Sequence, residues 1–262
     1  MTDTRPVFIA DTCIGGLSVV KSLWRAGVAT DAVFLADYAV NPLGVKSDDE
    51  IAATIDRWLR LAAEVSDTAV LACNTLSIRY RELYAAGPPA QAPARIVSMA
   101  DCVAALAQHE AAQLANQRVL VIGTRYTASQ GLYPQIIEDA ATDVRTATVG
   151  ATELERAIAR LESWDSDNET VLTAELRRAL AEADVAVLAC TCFPMVANEL
   201  SSLYPDVVFL DPGACCGDLL PSREGSQLPK LQLRVTGDTV SATRAREFAR
   251  TYLNTGNVEC CI

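Results

Sequence analysis

The sequence predicts an α/β fold of two pseudo-symmetric domains, each a mostly parallel sheet flanked by helices. Three observations carry that expectation. Short apolar runs bounded by turn residues alternate with longer amphipathic segments, the order that strands and crossover helices take. The pentapeptide AVLAC occurs twice, at 69–73 and at 186–190, which suggests one unit used twice. Half of the 262 residues are hydrophobic, enough to fill one large core or two smaller ones.

Taken in order, PVFIAD (6–11), AVFLAD (32–37), TAVLAC (68–73) and RIVSM (95–99) read as buried strands of a first half. RVLVIG (118–123), VRTATV (144–149), VAVLAC (185–190) and VVFLD (207–211) read as those of a second. Helical spacing is expected over 16–26, 48–65, 101–115, 152–162 and 169–183, the second of these opening on the acidic turn DDE. Further helix starts are read directly after Cys73, in NTLSIRYREL, and directly after Cys190, in TCFPMVANEL. Strict alternation of strand and helix means parallel strands with both faces covered. GPPAQAPA (87–94) is the clearest linker, and the expected domains are 1–96 plus 211–262, and 97–210. The first half opens with a strand ending at Asp11-Thr12 and reaches Cys73; the second opens with one ending at Gly123-Thr124 and reaches Cys190. Ligands bind outside the carboxyl ends of parallel strands, so two such units facing each other would turn both cysteines into one active-site cleft.

Charge and cysteine usage exclude several classes. A formal net charge of −11 argues against a nucleic-acid backbone or an anionic membrane surface as the main partner. The start MTDTRPVFIADTC carries Asp3, Arg5 and Asp11 around its apolar run and does not read as a secretory signal. The longest uncharged stretch, 185–198, is too short for a bilayer, so a cytoplasmic protein is expected. Nine cysteines in a chain of this length and setting are expected to be reduced, and they lack the paired CxxC blocks of a zinc ribbon, so no metal site is expected. Cys102, Cys215 and Cys216 read as small core residues, and His109, in AQHEAAQLANQ, as a solvated one.

Cys73 and Cys190 read differently. Free amides and the dipole at a helix start stabilise a thiolate, and a thiol of lowered pKa can take or give a proton. Two such thiols on opposite faces of a carbon acid would remove a proton from one side and return it on the other, inverting the centre.

DTCIGGLSV, ADYAVNPLGVKS (36–47), LACNT, VIGTRYTASQGLY (121–133), LACTCFP and TGD (236–238) together resemble glutamate racemases of the aspartate/glutamate racemase superfamily. The usual forms there run DSGxGGLSV, ADxxxxPYGxKS, ACNT, GCTHYP and TGD, and the match spans nearly the whole chain in order. The resemblance implies an isomerase, a racemase or epimerase independent of pyridoxal phosphate and of any other cofactor, with Cys73 and Cys190 as opposed acid/bases. Asp11 matches the acid beside the first cysteine, and Glu155, with Glu153 as the alternative, a glutamate that supports the second. Thr12 stands where the superfamily has a substrate-binding serine; Asn74, Thr75 and Thr191 match residues that hold the amino acid's polar ends; Thr124 and Thr127 are carried over in the same way. Pro42, Leu43 and Gly44 occupy the PYG positions. The implied partner is a small anionic amino acid or dicarboxylate, and the implied assembly a homodimer.

The chain departs from that pattern at four places. Cys192 replaces the histidine after CT, Leu43 the tyrosine of PYG, and Cys13 the glycine after DS; Gln130 stands at the serine of TxxTxxSxxY, with Ser129 beside it. An altered substrate is therefore expected. Asp11 also fits a helix N-cap or turn residue, and Gly15-Gly16 a tight turn or a place where an anion meets backbone amides. Two other activities compete with the racemase: an isomerase, decarboxylase or lyase on the same scaffold, and a metal-binding or redox protein built on a Cys13, Cys73, Cys190 and Cys192 thiolate cluster. Retention of both motif cysteines favours the racemase.

Overall fold

The structure is a computed structural model that describes residues 5–27, 31–162, 170–221 and 229–261. Its strands are β1 (Val7–Asp11), β2 (Ala32–Asp37), β3 (Thr68–Leu71), β4 (Arg95–Ser98), β5 (Arg118–Gly123), β6 (Arg145–Gly150), β7 (Val185–Ala189), β8 (Val208–Leu210), β9 (Leu231–Thr236) and β10 (Val258–Cys261). They form two sheets, ordered β10-β9-β2-β1-β3-β4 and β6-β5-β7-β8. Every pairing in both is parallel. The chain divides into two compact units, Met1–Met99 with Cys216–Ile262, and Ala100–Cys215.

The repeat now has a structural address. The first unit contains β2-β1-β3-β4 and the second β6-β5-β7-β8, the same order with each strand numbered four higher. AVLAC begins on β3 and on β7, the equivalent inner strands, and runs out past their ends to Cys73 and Cys190. The registers agree as well: Phe8 pairs with Ala69 in one sheet and Leu120 with Ala186 in the other. Following each pairing outward sets Thr12 level with Cys73 and Thr124 level with Cys190. Asp11 then has Gly123 as its counterpart, so the two strand ends share a scaffold but not a carboxylate.

Buried β-branched and aromatic runs account for the strands: all of β1, β2, β3 and β7 is buried. The helix Asp48–Val65 starts where a capping box satisfies its first turn, with Glu50 N–H on Ser47 Oγ and Ser47 N–H on Glu50 Oε2. It packs Ile51, Ile55, Trp58 and Leu59 into the core of the first unit.

Several expectations are corrected. β9 and β10, and the helices Leu132–Ala140 and Ala242–Leu253, are additional elements. The linker GPPAQAPA lies inside the first unit, between the helix Asn74–Leu83 and β4, which pairs with β3. The span 101–115 breaks into Met99–His109 and Ala111–Leu114. No α-helix starts directly after Cys190. A short 3-10 turn, Phe193–Val196, intervenes before Ala197–Leu203, because Pro194 has no N–H to extend a helix backward. The start of the expected 169–183 helix falls partly outside the described residues; its observed extent is Ala174–Glu182. Among the described residues no helix is long and apolar enough to cross a membrane.

Candidate active site

In the first unit, Cys73 leaves β3 and caps the helix Asn74–Leu83 with extended backbone. The sulfur is buried, with 7 % of the residue exposed. Thr12 Oγ1 lies 3.8 Å from it, across the ends of neighbouring strands. Asp11 is buried beside this pair and accepts the Thr12 N–H on Oδ1 at 2.7 Å. Burial pushes the Cys73 thiol well above its ordinary pKa, and the Asp11 charge pushes it the same way. The first-turn N–H of Leu76, which approaches the sulfur without making a full capping bond, and the Thr12 hydroxyl oppose the rise. Cys73 is thus held as a thiol, the reverse of the lowered pKa expected at a helix start, because burial and Asp11 outweigh the Leu76 N–H. Asn74 and Thr75 follow it, both buried, on the first turn of the helix.

The glycine-rich turn after Asp11 is a packing device. Gly15 N–H is already bound to Cys13 Sγ at 3.4 Å, and Ile14 N–H to the Tyr38 hydroxyl at 3.2 Å. A Cβ at Gly16 would stand 2.6 Å from the Phe34 ring and 3.1 Å from Asp11 Cβ, so only glycine lets the turn close over β1 and β2. Cys13 accordingly acts as the cap of this turn.

Opposite them, β2 ends in Asp37, which is fully buried with both oxygens occupied. Oδ2 accepts from Arg57 and from Trp58 Nε1, each at 2.7 Å, and Oδ1 accepts from the Thr236 hydroxyl at the end of β9. Sequence reading assigned these residues no role, since Thr236 is 199 positions away from Asp37. Gly237 follows with φ +75, and a Cβ there would meet Ala39 N at 2.8 Å and the Tyr38 carbonyl carbon at 3.0 Å. This junction launches the segment carrying Tyr38, the cis Asn41–Pro42 bond, Leu43 and Gly44. Leu43 is buried in the apolar cluster that also contains Cys73 and Leu76, while Pro42 and Gly44 are exposed.

In the second unit, Cys190, Thr191 and Cys192 follow β7 and are all buried. The Phe193 N–H closes back on the Cys190 carbonyl at 3.0 Å, which folds the segment into a tight turn. Thr124, at the end of β5, caps Arg125–Ser129: its Oγ1 accepts the Thr127 N–H at 3.3 Å and lies 3.1 Å from Thr127 Oγ1. Thr127 fills the space a side chain at 123 would need, with Cβ 2.9 Å from that position. The two candidate glutamates separate cleanly. Glu153 Oε1 pairs with Arg125 at 2.6 Å. A carboxylate oxygen of Glu155 lies within 4.8 Å of Cys192 Sγ.

Outside these positions, Cys102, Cys215 and Cys216 are buried and His109 is exposed, with Cys215 Sγ 3.9 Å from its Nδ1.

Comparison with known proteins adds three findings. A family model described as Asp/Glu/Hydantoin racemase matches residues 28–217. The chain is 27% identical over 266 residues to a glutamate racemase of Pediococcus pentosaceus, covering 96% of each, and 30% identical over 223 residues to one of Syntrophus aciditrophicus, covering 82% of this chain and 78% of the relative. Its fold is similar to the crystal structure of glutamate racemase from Francisella tularensis subsp. tularensis in complex with D-glutamate, with a TM-score of 0.73, 20% identity, and coverage of 99% of this chain and 98% of that one.

Proposed function

The chain belongs to the Asp/Glu/Hydantoin racemase family, and from that membership we propose that it is an amino-acid racemase in which Cys73 and Cys190 exchange the proton of one α-carbon without a cofactor. The observation that carries the reading is the duplicated strand end: a buried cysteine just beyond β3 and just beyond β7, each level with a threonine when the pairing of its strand is continued outward. One sulfur, as thiolate, takes the Cα proton; the other, as thiol, returns its own to the opposite face. The enzyme is then left with thiol and thiolate interchanged and is reset by the reverse turnover or by exchange with water. Burial and, after it, the Asp11 charge favour the protonated form of Cys73, and a Glu155 carboxylate oxygen lies within 4.8 Å of the sulfur of Cys192, two residues past the second thiol.

The substrate is a small anionic amino acid or dicarboxylate, held at its polar ends by Thr12, Asn74, Thr75, Thr124, Thr127 and Thr191. Relatives named glutamate racemase support that class. Leu43 and Cys192 remove a phenol and an imidazole from the surroundings of the thiols, so glutamate itself is expected to be a poor substrate. The same reading takes the protein to be a cytoplasmic homodimer, which sedimentation of the purified chain checks.

Racemisation in deuterium oxide tests the function: each inverted molecule should carry solvent deuterium at Cα. Cys73→Ser and Cys190→Ser should each lower steady-state racemisation by at least about a thousandfold, because a full turnover needs both thiols. Racemisation by Cys73→Ser within about tenfold of the parent would end the two-thiol mechanism.

A further inference from the structure

Tyr38 is the first of the four variable positions between Asp37 and Pro42 in ADYAVNPLGVKS, outside the residues that the motif specifies. Its ring is buried, and its hydroxyl oxygen accepts the Ile14 N–H at 3.2 Å. Ile14 opens the turn Ile14–Gly16, two residues past Thr12, whose Oγ1 lies 3.8 Å from Cys73 Sγ. The bonds of Thr12 N–H to Asp11 and of Gly15 N–H to Cys13 are local, spanning one and two residues, and shape the turn from within. The Ile14–Tyr38 bond spans 24 residues and ties the turn to the end of the neighbouring strand β2. Tyr38 is itself held firmly. Asp37 before it is gripped by Arg57, Trp58 and Thr236, and Gly237 packs against Tyr38 and Ala39 with no room for a Cβ.

We propose that Tyr38 is a positioning residue for the reaction: its hydroxyl holds the Asp11–Gly16 turn where Thr12 meets the Cys73 thiol. The kinetic side of this rests on the racemase reading; the geometric side does not. With Leu43 at the PYG position, the segment's phenol comes from Tyr38 and is spent on backbone that steadies a catalytic thiol.

Tyr38→Phe keeps the ring and removes the oxygen. Two readouts are taken: the pH dependence of Cys73 alkylation by iodoacetamide, followed by peptide mass spectrometry with Cys190 as internal reference, and the kinetics of racemisation. The Cys73 profile is expected to move to higher pH, because the Thr12 hydroxyl that steadies the thiolate is no longer held, while that of Cys190 stays in place. The kcat should fall about tenfold with KM within about twofold. Thr12→Val should produce a similar Cys73 shift, and the double variant should add nothing to it. A Cys73 profile unmoved by Tyr38→Phe, or Cys73 and Cys190 shifting alike, overturns the proposal. A shift confined to Cys73 in a protein that racemises no amino acid upholds the positioning role and sinks the racemase reading instead.

Discussion

The neighbours of Cys73 pull its proton affinity in opposite directions, the Leu76 N–H and the Thr12 hydroxyl downward and Asp11 upward, and the balance lies with burial and Asp11. Removing the Asp11 charge should therefore lower the thiol's pKa. Asp11→Asn is expected to speed Cys73 alkylation at pH 8 severalfold, since each pKa unit is about a tenfold change in thiolate where little of it is present. Racemisation should nonetheless slow, because the residue that opposes ionisation also helps return the proton. Slower alkylation would mean that Asp11 acts mainly by accepting the thiol proton. The two thiols were legible in the sequence because the chain writes their strand twice. Their threonine partners were legible only through the resemblance, and the register then explained why a threonine stands at both places. Tyr38 was not legible, because its partner is Ile14, to which no linear pattern connects it; Asp37 and Thr236 stood in quoted motifs, but nothing in the sequence showed that they meet.

The turns that end strands carry as much of the site as the strands do. Gly237 is needed for its left-handed backbone and for the close approach of Tyr38 and Ala39. Gly237→Ala should cost at least about 1 kcal/mol from the backbone conformation alone. Displacing the Tyr38–Gly44 segment should also raise KM; urea unfolding beside steady-state kinetics reads both effects. The turn after β8 offers a second test. Burial lifts the Asp211 carboxyl to about 6, against a smaller downward pull from the Gly213 N–H at 2.8 Å. A carboxyl raised in this way binds its proton more tightly folded than unfolded, so its contribution to stability is complete below about pH 4 and is lost as pH rises through about 6. Asp211→Asn keeps an acceptor for Gly213 and cannot ionise. It should match the parent near pH 4 and exceed it above pH 6, by at most about 3 kcal/mol. Thermal unfolding of both proteins from pH 4 to 8 measures the gap, and a gap independent of pH would contradict the assignment. At this scale eight strands were legible as apolar runs. β9 was not, because LQLRVT alternates: Leu231 and Leu233 are buried while Gln232 and Arg234 are half-covered. The helix expected at Cys190 failed on Pro194, whose position inside the first turn the apolar spacing conceals.

At the scale of the whole molecule, the parallel alternation of strand and helix followed from sequence, whereas the order of the strands within each sheet did not. The second unit is a single continuous stretch, Ala100–Cys215. The first is assembled from two, with β9 inserted between β2 and β10 and paired to β2 from Ala32↔Leu231 to Asp37↔Thr236. Long-range pairing of this kind is slow to form. In refolding followed by pulsed hydrogen exchange, amides of β5 and β7 should gain protection before those of β2 and β9; the reverse order would show that the discontinuous unit leads. The β2–β9 junction has a further consequence on the ribosome. The strand that bears Asp37 is translated early, but the hydroxyl that completes its buried carboxylate arrives 199 residues later. Through that interval the β2 edge is open to any passing strand, and the middle of the chain can fold while the beginning waits for nascent β9 to close it.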